Sequence, residues 1–239
     1  MNLALFTLTI GEPNTLVAID RIVTHTPEPF NLTVWYDTCG HGIDNDFLAE
    51  LLKRTDDIII LTKNHGPSAA MSYALLYTKA DYLVGFGSDS MVQPDYFNRI
   101  MVPFEQLPNV AISGEPFREV DMGDKEYELC TGEGLINFPD PLIVVNRAAV
   151  DDVGGIGGFF NFYGHDLTEW VGRAMYKGWE VALISNLIDR SFLSRSSITK
   201  NKEIDQIVEE NKRVFLQARD MGYRNYKWWS SKLKEAVCH

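Results

Sequence analysis

The segment LALFTLTIGEPNTLVAID, residues 3–20, decides the fold class of this chain. Its first part, residues 3–10, is an apolar run rich in threonine, which is typical of a buried strand in a parallel sheet. The run is broken by Gly11-Glu12-Pro13-Asn14, and apolar side chains then recur at helical spacing over residues 15–23. The segment therefore predicts a strand, a tight polar turn and a helix in succession.

The same alternation continues along the first part of the chain. It predicts further strands over residues 32–36, 57–62 and 82–86, and helices over residues 43–53 and 68–79. Three successive strand–helix–strand units with short connections predict a parallel sheet with right-handed crossovers. Because ligands of such sheets bind beyond the carboxyl ends of the strands, we expect a site in the turns at residues 9–14, 37–42, 63–68 and 87–90.

The pattern changes after Pro94. We predict helices over residues 96–104, 147–153, 166–177 and 203–219, strands over residues 110–113, 142–145 and 180–184, and a hairpin around residues 126–138. No internal repeat and no linker rich in proline or serine interrupts the sequence, so we expect one α/β domain.

Composition excludes several classes of protein. The 239 residues are 45% hydrophobic and 23% charged, which excludes collagen, low-complexity disorder and small disulfide-rich proteins. There is no apolar run of membrane-spanning length and no basic amino-terminal region of the kind that begins a signal peptide. The three cysteines lie far apart and form no C-x-x-C pair, which favours a reducing compartment. We therefore expect a cytoplasmic protein without a transmembrane segment.

Charge is distributed unevenly. The net charge of -11 argues against tight, non-specific binding to nucleic acid. From residue 211 to the end, however, seven basic residues outnumber two acidic ones, so this tail carries +5 and residues 1–210 carry -16. Aromatic side chains alternate with the basic ones. Two interpretations stay open: a solvated helix whose aromatic residues pack on the body, or a docking surface for an anionic ligand.

Two segments contain the residue types of a reactive site. Asp89, in the turn Gly87-Ser88-Asp89-Ser90 after the fourth predicted strand, could bind a divalent cation, although aspartate is also common in plain turns. The second segment begins with Gly154-Gly155-Ile156 and ends with Tyr163-Gly164-His165-Asp166 at the start of a predicted helix. Asp166 could cap that helix or act as a general base toward a hydroxyl group, and the residues alone do not decide between these roles.

In combination these segments resemble the glycosyltransferases of the GT-A fold, specifically the inverting family 2. The resemblance covers about residues 1–190. The family pattern G-G-F-D-E-x-F-x-x-Y-G-E-D aligns without a gap on residues 154–166, and the pattern N-x-G-x-x-x-A is found at residues 64–70. The D-x-D position falls on residues 87–89, and a carboxyl-terminal Lys-Trp is echoed by Lys227-Trp228.

This resemblance implies a fold and a division of the chain. The fold would be a single-domain GT-A fold, with a Rossmann-like nucleotide-binding sheet, helices on both faces and an extension on the acceptor side. The glycosyltransferase domain would span residues 1–199, with a nucleotide-sugar half at residues 1–95 and an acceptor half at residues 96–199. Residues 200–239 would form a basic, aromatic helical extension packed on the same domain.

The resemblance also implies a role for each matching residue. Asp166 would be the catalytic base of an inverting displacement, and Asp89 would hold Mn²⁺ or Mg²⁺. The nucleotide-sugar donor, with a UDP-sugar favoured over GDP- or dTDP-sugars, would be bound by Thr9, Glu12, Asp37, Asn64, Gly66, Ser68, Ser88 and Asp89. The acceptor would be contacted by Gly154, Gly155, Tyr163, His165 and Trp228. The acceptor itself could be a saccharide, a lipid-linked saccharide, a protein, a small molecule or a modified DNA base, and the oligomeric state is open.

This chain departs from the family pattern in several places. Gly87 replaces the first aspartate of D-x-D, so one carboxylate is left for a metal. His165 replaces the glutamate before the base, and Gly157-Gly158 replaces an Asp-Glu pair. Residues 188–199 lack the metal-binding histidine of many relatives and offer Asp189, Arg190 and Arg195, whose guanidinium groups could offset the charge of a departing diphosphate. Metal dependence is therefore the property that these departures weaken most.

Two other functions fit parts of the sequence. The missing first aspartate and the missing histidine would suit a protein that binds nucleotide sugars without catalysis. A sugar nucleotidyltransferase would share the sheet, but that class carries a glycine-rich loop with basic residues after its first strand. Here the corresponding turn is acidic because of Glu12.

Overall fold

The computed structural model describes residues 1–62, 65–116, 121–130, 139–155 and 166–192, with residues 206, 209–213 and 216; for residues 139–141 and 166 it describes the backbone. In these residues eight strands form one sheet in the order β3-β2-β1-β4-β7-β5-β8-β6. The strands are β1 (Leu3–Thr9), β2 (Phe30–Asp37), β3 (Asp57–Leu61), β4 (Tyr82–Phe86), β5 (Val110–Pro116), β6 (Glu128–Leu129), β7 (Pro139–Asn146) and β8 (Glu180–Leu183).

Six α-helices are found in the same residues. They are α1 (Asn14–His25), α2 (Asn45–Leu52), α3 (Gly66–Tyr77), α4 (Tyr96–Gln106), α5 (Arg147–Val153) and α6 (Asp166–Tyr176), and a short 3-10 helix follows at Arg190–Phe192. These elements confirm the predicted order, with ends that differ by a few residues. Residues 206, 209–213 and 216 are helical, in agreement with part of the helix predicted over residues 203–219, and the rest of that prediction lies outside the described residues.

The parallel sheet predicted for the first half of the chain is confirmed. β1 pairs in parallel with both β2 and β4, and β2 pairs in parallel with β3. The second half was predicted less completely, because β7 enters antiparallel between β4 and β5. The hairpin expected around residues 126–138 stays a prediction, because residues 131–138 lie outside the described residues. Its described part contains the short β6, which pairs with β8, far along the chain.

The strand order creates a switch point between β1 and β4. The chain moves from β1 to β2 and β3 on one side of β1, and then returns to add β4 on its other side. Thr7 lies opposite Phe86, and its Oγ1 donates a hydrogen bond of 2.8 Å to the Phe86 carbonyl oxygen. The turns that follow β1 and β4 therefore start side by side, which is where open α/β sheets bind their ligands.

Two hydrophobic layers cover the faces of the sheet. Alternate side chains of β1 point to opposite faces, so Leu3 and Leu5 join one layer while Ala4 and Phe6 join the other. The first layer includes buried residues of α1, α2 and α4, and the second includes buried residues of α3, α5, α6 and, farther along the chain, the side chain of Leu216. None of the helices in the described residues has the length and apolar character of a membrane span.

Replacing Ile112 with alanine tests the importance of this core. Ile112 lies on β5 and is fully buried, so Ile112→Ala should lower the free energy of unfolding by about 2–5 kcal/mol in urea denaturation. Ile43 is 44% exposed and provides the control, because Ile43→Ala should change that free energy by about 0.5 kcal/mol or less. Equal losses in the two variants would contradict the assigned core.

Candidate active site

The turn after β1 is organised by its own side chains. Thr9 is buried, and its Oγ1 accepts a hydrogen bond of 3.0 Å from the Gly11 amide and shares one of 2.7 Å with the hydroxyl of Thr15. Glu12 Oε2 accepts from the Ile10 amide and from Thr9 Oγ1, both at 3.3 Å. Thr9 and Glu12, both predicted to bind the donor, thus shape the turn at the switch point.

Gly11 allows this turn to lie close to β2. Its φ is +96°, which favours glycine, and a Cβ added there would lie 3.5 Å from the ring and hydroxyl of Tyr36. The Tyr36 hydroxyl in turn accepts a hydrogen bond of 3.3 Å from the amide of Asp44, the residue that caps α2. The turns after β1 and β2 are therefore joined through one tyrosine.

Asp37, the last residue of β2, joins two further loops. Its carboxylate is fully buried: Oδ1 accepts a hydrogen bond of 3.0 Å from the Cys39 amide, and Oδ2 accepts one of 2.9 Å from the His65 amide. Asp37 thus connects its own loop to the residue that precedes α3. Each oxygen keeps a further lone pair, but neither is reached by solvent in this arrangement.

The start of α3 lies at the same edge of the sheet. Gly66 has a φ of +77° and begins the helix, Pro67 follows, and Ser68 is buried in the first turn. The amino end of a helix presents backbone N–H groups and a partial positive charge, which suit anionic oxygen atoms. Asn64, predicted to act here as well, lies outside the described residues.

The turn after β4 is closed by two hydrogen bonds between Gly87 and Ser90. The Gly87 amide donates to Ser90 Oγ at 3.0 Å, and the Ser90 amide donates to the Gly87 carbonyl at 3.0 Å. Ser90 is buried, whereas Ser88 and Asp89 are half-buried at the tip. The predicted metal ligand Asp89 therefore lies in the turn that follows β4, the strand next to β1.

A second segment runs beside the residues that follow Asp89. Val92 pairs antiparallel with Ile188, and the Asp189 amide donates a hydrogen bond of 2.8 Å to the Met91 carbonyl. Asp189 Oδ1 accepts from the hydroxyl of Ser191 at 2.7 Å and from its amide at 3.0 Å, and these bonds lower the pKa of the Asp189 carboxyl. In the part of the chain that the structure describes, no three His, Cys, Asp or Glu side chains come together as a metal site.

Glu115 anchors this second segment and was missed by the sequence analysis. The Glu115 carboxylate is fully buried at the end of β5, and its Oε2 accepts a hydrogen bond of 2.7 Å from the Leu187 amide. Its Oε1 accepts from the Arg190 guanidinium, at 3.0 Å from Nε and 2.7 Å from Nη2. The charge of Arg190, expected to face a diphosphate, is thus offset by Glu115. The sequence signal was the Gly-Glu-Pro that follows the strand predicted over residues 110–113.

The predicted acceptor residues are described in part. Gly154 and Gly155 lie where α5 ends, and a Cβ added to Gly155 would approach Leu76 of α3 to 3.0 Å. The backbone of Asp166 begins α6. Tyr163, His165 and Trp228 lie outside the described residues, and the assignment of the acceptor side stays a prediction.

Removing the negative charge of Glu115 tests its anchoring role. Glu115→Gln leaves Arg190, whose side chain is 27% exposed, without its carboxylate, so the free energy of unfolding should fall by about 1–3 kcal/mol. Glu50→Gln is the matched control, because the Glu50 side chain is 41% exposed in its pairs with Lys53 and Arg54, and exposed ion pairs contribute little to the free energy of unfolding. Urea denaturation gives both values, and a smaller loss for Glu115→Gln than for Glu50→Gln would contradict the anchor.

Comparison with known proteins agrees with this fold. The family described as "Glycosyl transferase family 2" matches residues 45–163. The chain resembles the mannosyltransferase PcManGT from Pyrobaculum calidifontis, solved in complex with GDP-Man and Mn²⁺, with 13% identity and a TM-score of 0.60 over 99% of this chain and 74% of that one. No protein with a curated description matches it by sequence.

Two other solved structures share the fold. S. aureus TarS in complex with UDP-GlcNAc is 12% identical, with a TM-score of 0.55 over 78% of this chain and 56% of that one. GalNAc-T7 with UDP, GalNAc and Mn²⁺ is 10% identical, with a TM-score of 0.59 over 77% of this chain and 42% of that one. This chain therefore spans about half the length of these two, or less, and the likeness concerns the fold. The family match and the fold together identify the chain as a glycosyltransferase of the GT-A fold, similar to glycosyltransferase family 2.

Proposed function

We propose that this protein transfers a sugar from a nucleotide-sugar donor to an acceptor hydroxyl with inversion at the anomeric carbon, using Asp166 as general base. The observation that carries the proposal is the position of Asp166 at the first residue of α6, where the family motif aligns without a gap on residues 154–166. α6 leads through the bend at residues 177–179 into β8, which runs parallel to β5, so α6 begins at the sheet edge where β5 and β8 end.

The donor would bind across the switch point. The turn shaped by Thr9 and Glu12, with the loops joined by Asp37, would hold the base. Because the Asp37 carboxylate is enclosed by the amides of Cys39 and His65, it would act on the base through these loops or after a local opening. Asn64, Gly66 and Ser68 would line the ribose and the diphosphate, where the amino end of α3 favours anionic oxygens.

We propose a nucleotide-linked sugar as the donor. Similar folds are solved with GDP-Man, with UDP-GlcNAc and with UDP, which supports a nucleotide-linked sugar as donor. We favour a UDP-sugar, on the habit of the family that the sequence resembles. The acceptor is unidentified, and Gly154, Gly155, Tyr163, His165 and Trp228 are proposed to face it.

A divalent cation, Mn²⁺ or Mg²⁺, would be held by Asp89 together with diphosphate oxygens of the donor. One carboxylate beside Ser88 is a donor set that fits a hard cation, provided that the substrate supplies most of the remaining oxygen ligands. Such an ion offsets the negative charge of a departing diphosphate. Asp189, in the adjacent segment, carries a carboxylate into the same region but directs Oδ1 to Ser191.

The reaction itself would be a single displacement. The Asp166 carboxylate would take the proton of the acceptor hydroxyl. The oxygen of that hydroxyl would at the same time attack the anomeric carbon from the face opposite the diphosphate. The bond from that carbon to the diphosphate oxygen breaks, and the nucleoside diphosphate leaves with the bonding electron pair. The first turn of a helix is a suitable place for this base, because a negative charge is stabilised there.

Asp166→Asn tests the base. The variant should bind nucleotide sugar as the wild type does, but sugar transfer or donor hydrolysis should fall by about 10²–10⁴-fold because the proton acceptor is lost. A panel of UDP-, GDP- and dTDP-sugars, with release of free nucleotide as the signal and thermal shift as the measure of binding, gives both results.

Asp151→Asn is the matched control for this variant, since the Asp151 side chain on α5 is 71% exposed and should leave turnover unchanged. Transfer by Asp166→Asn at the rate of the control would overturn the base. Stabilisation by a donor without turnover of any donor, even with a broad acceptor panel, would favour the non-catalytic binding protein instead, which Gly87 at the D-x-D position also supports.

Asp89→Asn tests the metal. Chelation with EDTA should slow donor hydrolysis by about tenfold or more, and Asp89→Asn should raise the Mn²⁺ concentration that gives half the maximal rate. Asp95→Asn serves as control, because the Asp95 side chain is 63% exposed in the same connection, at the start of α4. An unchanged rate in EDTA would show that turnover proceeds without a divalent cation.

A further inference from the structure

Three successive carbonyl groups at the end of α5 are bound by side chains of α6. Arg173 Nη1 donates to the Val153 carbonyl at 2.7 Å, Trp170 Nε1 donates to the Gly154 carbonyl at 2.7 Å, and Arg173 Nη2 donates to the Gly155 carbonyl at 2.8 Å. Because three consecutive carbonyls have partners on one helix, the chain leaves α5 in one direction. We call Glu169, Trp170 and Arg173 the α6 clamp.

Glu169, the third member of the clamp, holds Arg173 in place. Arg173 is 3% exposed and Glu169 is fully buried, and the guanidinium donates to Glu169 Oε1 at 2.5 Å from Nε and to Oε2 at 3.0 Å from Nη2. One planar guanidinium thus meets a carboxylate and two carbonyls at once, which the single ammonium of lysine cannot do in the same geometry.

Stability alone does not account for this arrangement. Burying two charges removes them from water, and replacing a buried ion pair with well-packed apolar residues is often neutral or stabilising. Trp170 and Val171, which lie between the two charged residues in the sequence, belong to the buried hydrophobic layer. The ion pair orients the guanidinium of Arg173, so that its N–H groups point at the carbonyl oxygens of Val153 and Gly155.

The clamp holds the start of the segment that leads to the proposed base, and it belongs to the helix that Asp166 begins. Residues 156–165 connect Gly155, which Arg173 holds, to Asp166, which begins the same helix. Arg173 lies two helical turns from Asp166, about 10 Å along the axis. Gly154 has a φ of +85°, and Gly155 is closely packed against Leu76, so the backbone at this exit is suited to glycine.

We propose that Trp170 and Arg173, held by Glu169, are positioning residues of the glycosyl transfer reaction. They fix the exit from α5 relative to α6, and so would set the placement of Asp166 against the proposed donor site. This inference rests on the proposed function, and it gives the Gly-Gly of the family motif a role in backbone direction in addition to any contact with the acceptor.

Trp170→Phe and Arg173→Lys test the clamp. Trp170→Phe keeps a large aromatic ring in the core but removes the N–H group that donates to the Gly154 carbonyl. Arg173→Lys keeps the positive charge beside Glu169 but removes the planar guanidinium that donates to two carbonyls at once. Amide hydrogen exchange in peptides spanning residues 150–166 should become about two- to tenfold faster in each variant. The kcat of donor turnover should fall about tenfold to a hundredfold, because small displacements of a reacting group are costly, while donor affinity stays within about twofold.

Trp179→Phe is the matched control. Trp179 Nε1 donates at 2.9 Å to Asp152 Oδ2 on α5, so this variant removes the same kind of hydrogen bond without touching the three carbonyls. The positioning role would be overturned if Trp170→Phe and Arg173→Lys showed the same hydrogen exchange and the same kcat as the control. A fall in kcat accompanied by an equal loss of donor affinity would also overturn it. A wild-type protein that turns over no donor would overturn the proposed function, and the exchange measurement would then decide the clamp alone.

Discussion

A carboxylate that loses contact with water must receive hydrogen bonds, and this requirement organises the loops of the protein. Asp37, Glu115 and Glu169 are fully buried, and each has at least one partner from another part of the fold or from another turn of the same helix. Asp37 joins the loops after β2 and β3, and Glu115 joins the end of β5 to the segment after β8. Since an unpaired buried charge is very unfavourable, each loop is held where its amide or guanidinium can reach the carboxylate.

These carboxylates hold different backbone segments on the two sides of the proposed site. On the proposed donor side, Asp37 and Glu115 hold the loops around the switch point while the half-buried Asp89 remains at the tip of its turn. On the proposed acceptor side, Glu169 holds Arg173, which binds the backbone that leads toward Asp166. The residues proposed to meet substrates are thus supported by charged residues that need not meet them.

The sequence predicted the first four strands and three helices well, because each strand–helix unit has a local signal in its apolar spacing. It did not predict β7 between β4 and β5, or the pairing of β6 with β8, because pairing between distant strands leaves little trace in local periodicity. The same limit applies to the site. The turns at Thr9, Asp37 and Asp89 were predicted from their places after strands, whereas the partner of Glu115 lies 75 residues away and the partner of Asp37 lies 28 residues away. The roles of Asn64, Tyr163, His165 and Trp228 stay predictions.

The pairing of residues 91–93 with residues 187–189 has a consequence for how the protein is made. The turn that carries Asp89 belongs to the first half of the chain, but one of its walls is synthesised about 100 residues later, which takes roughly 5–20 s of translation. Through that interval the first four strands have been synthesised without the segment that flanks this turn. The surroundings of Asp89 are therefore completed late in synthesis, and a fragment of the chain that ends before residue 187 would lack this wall of the turn.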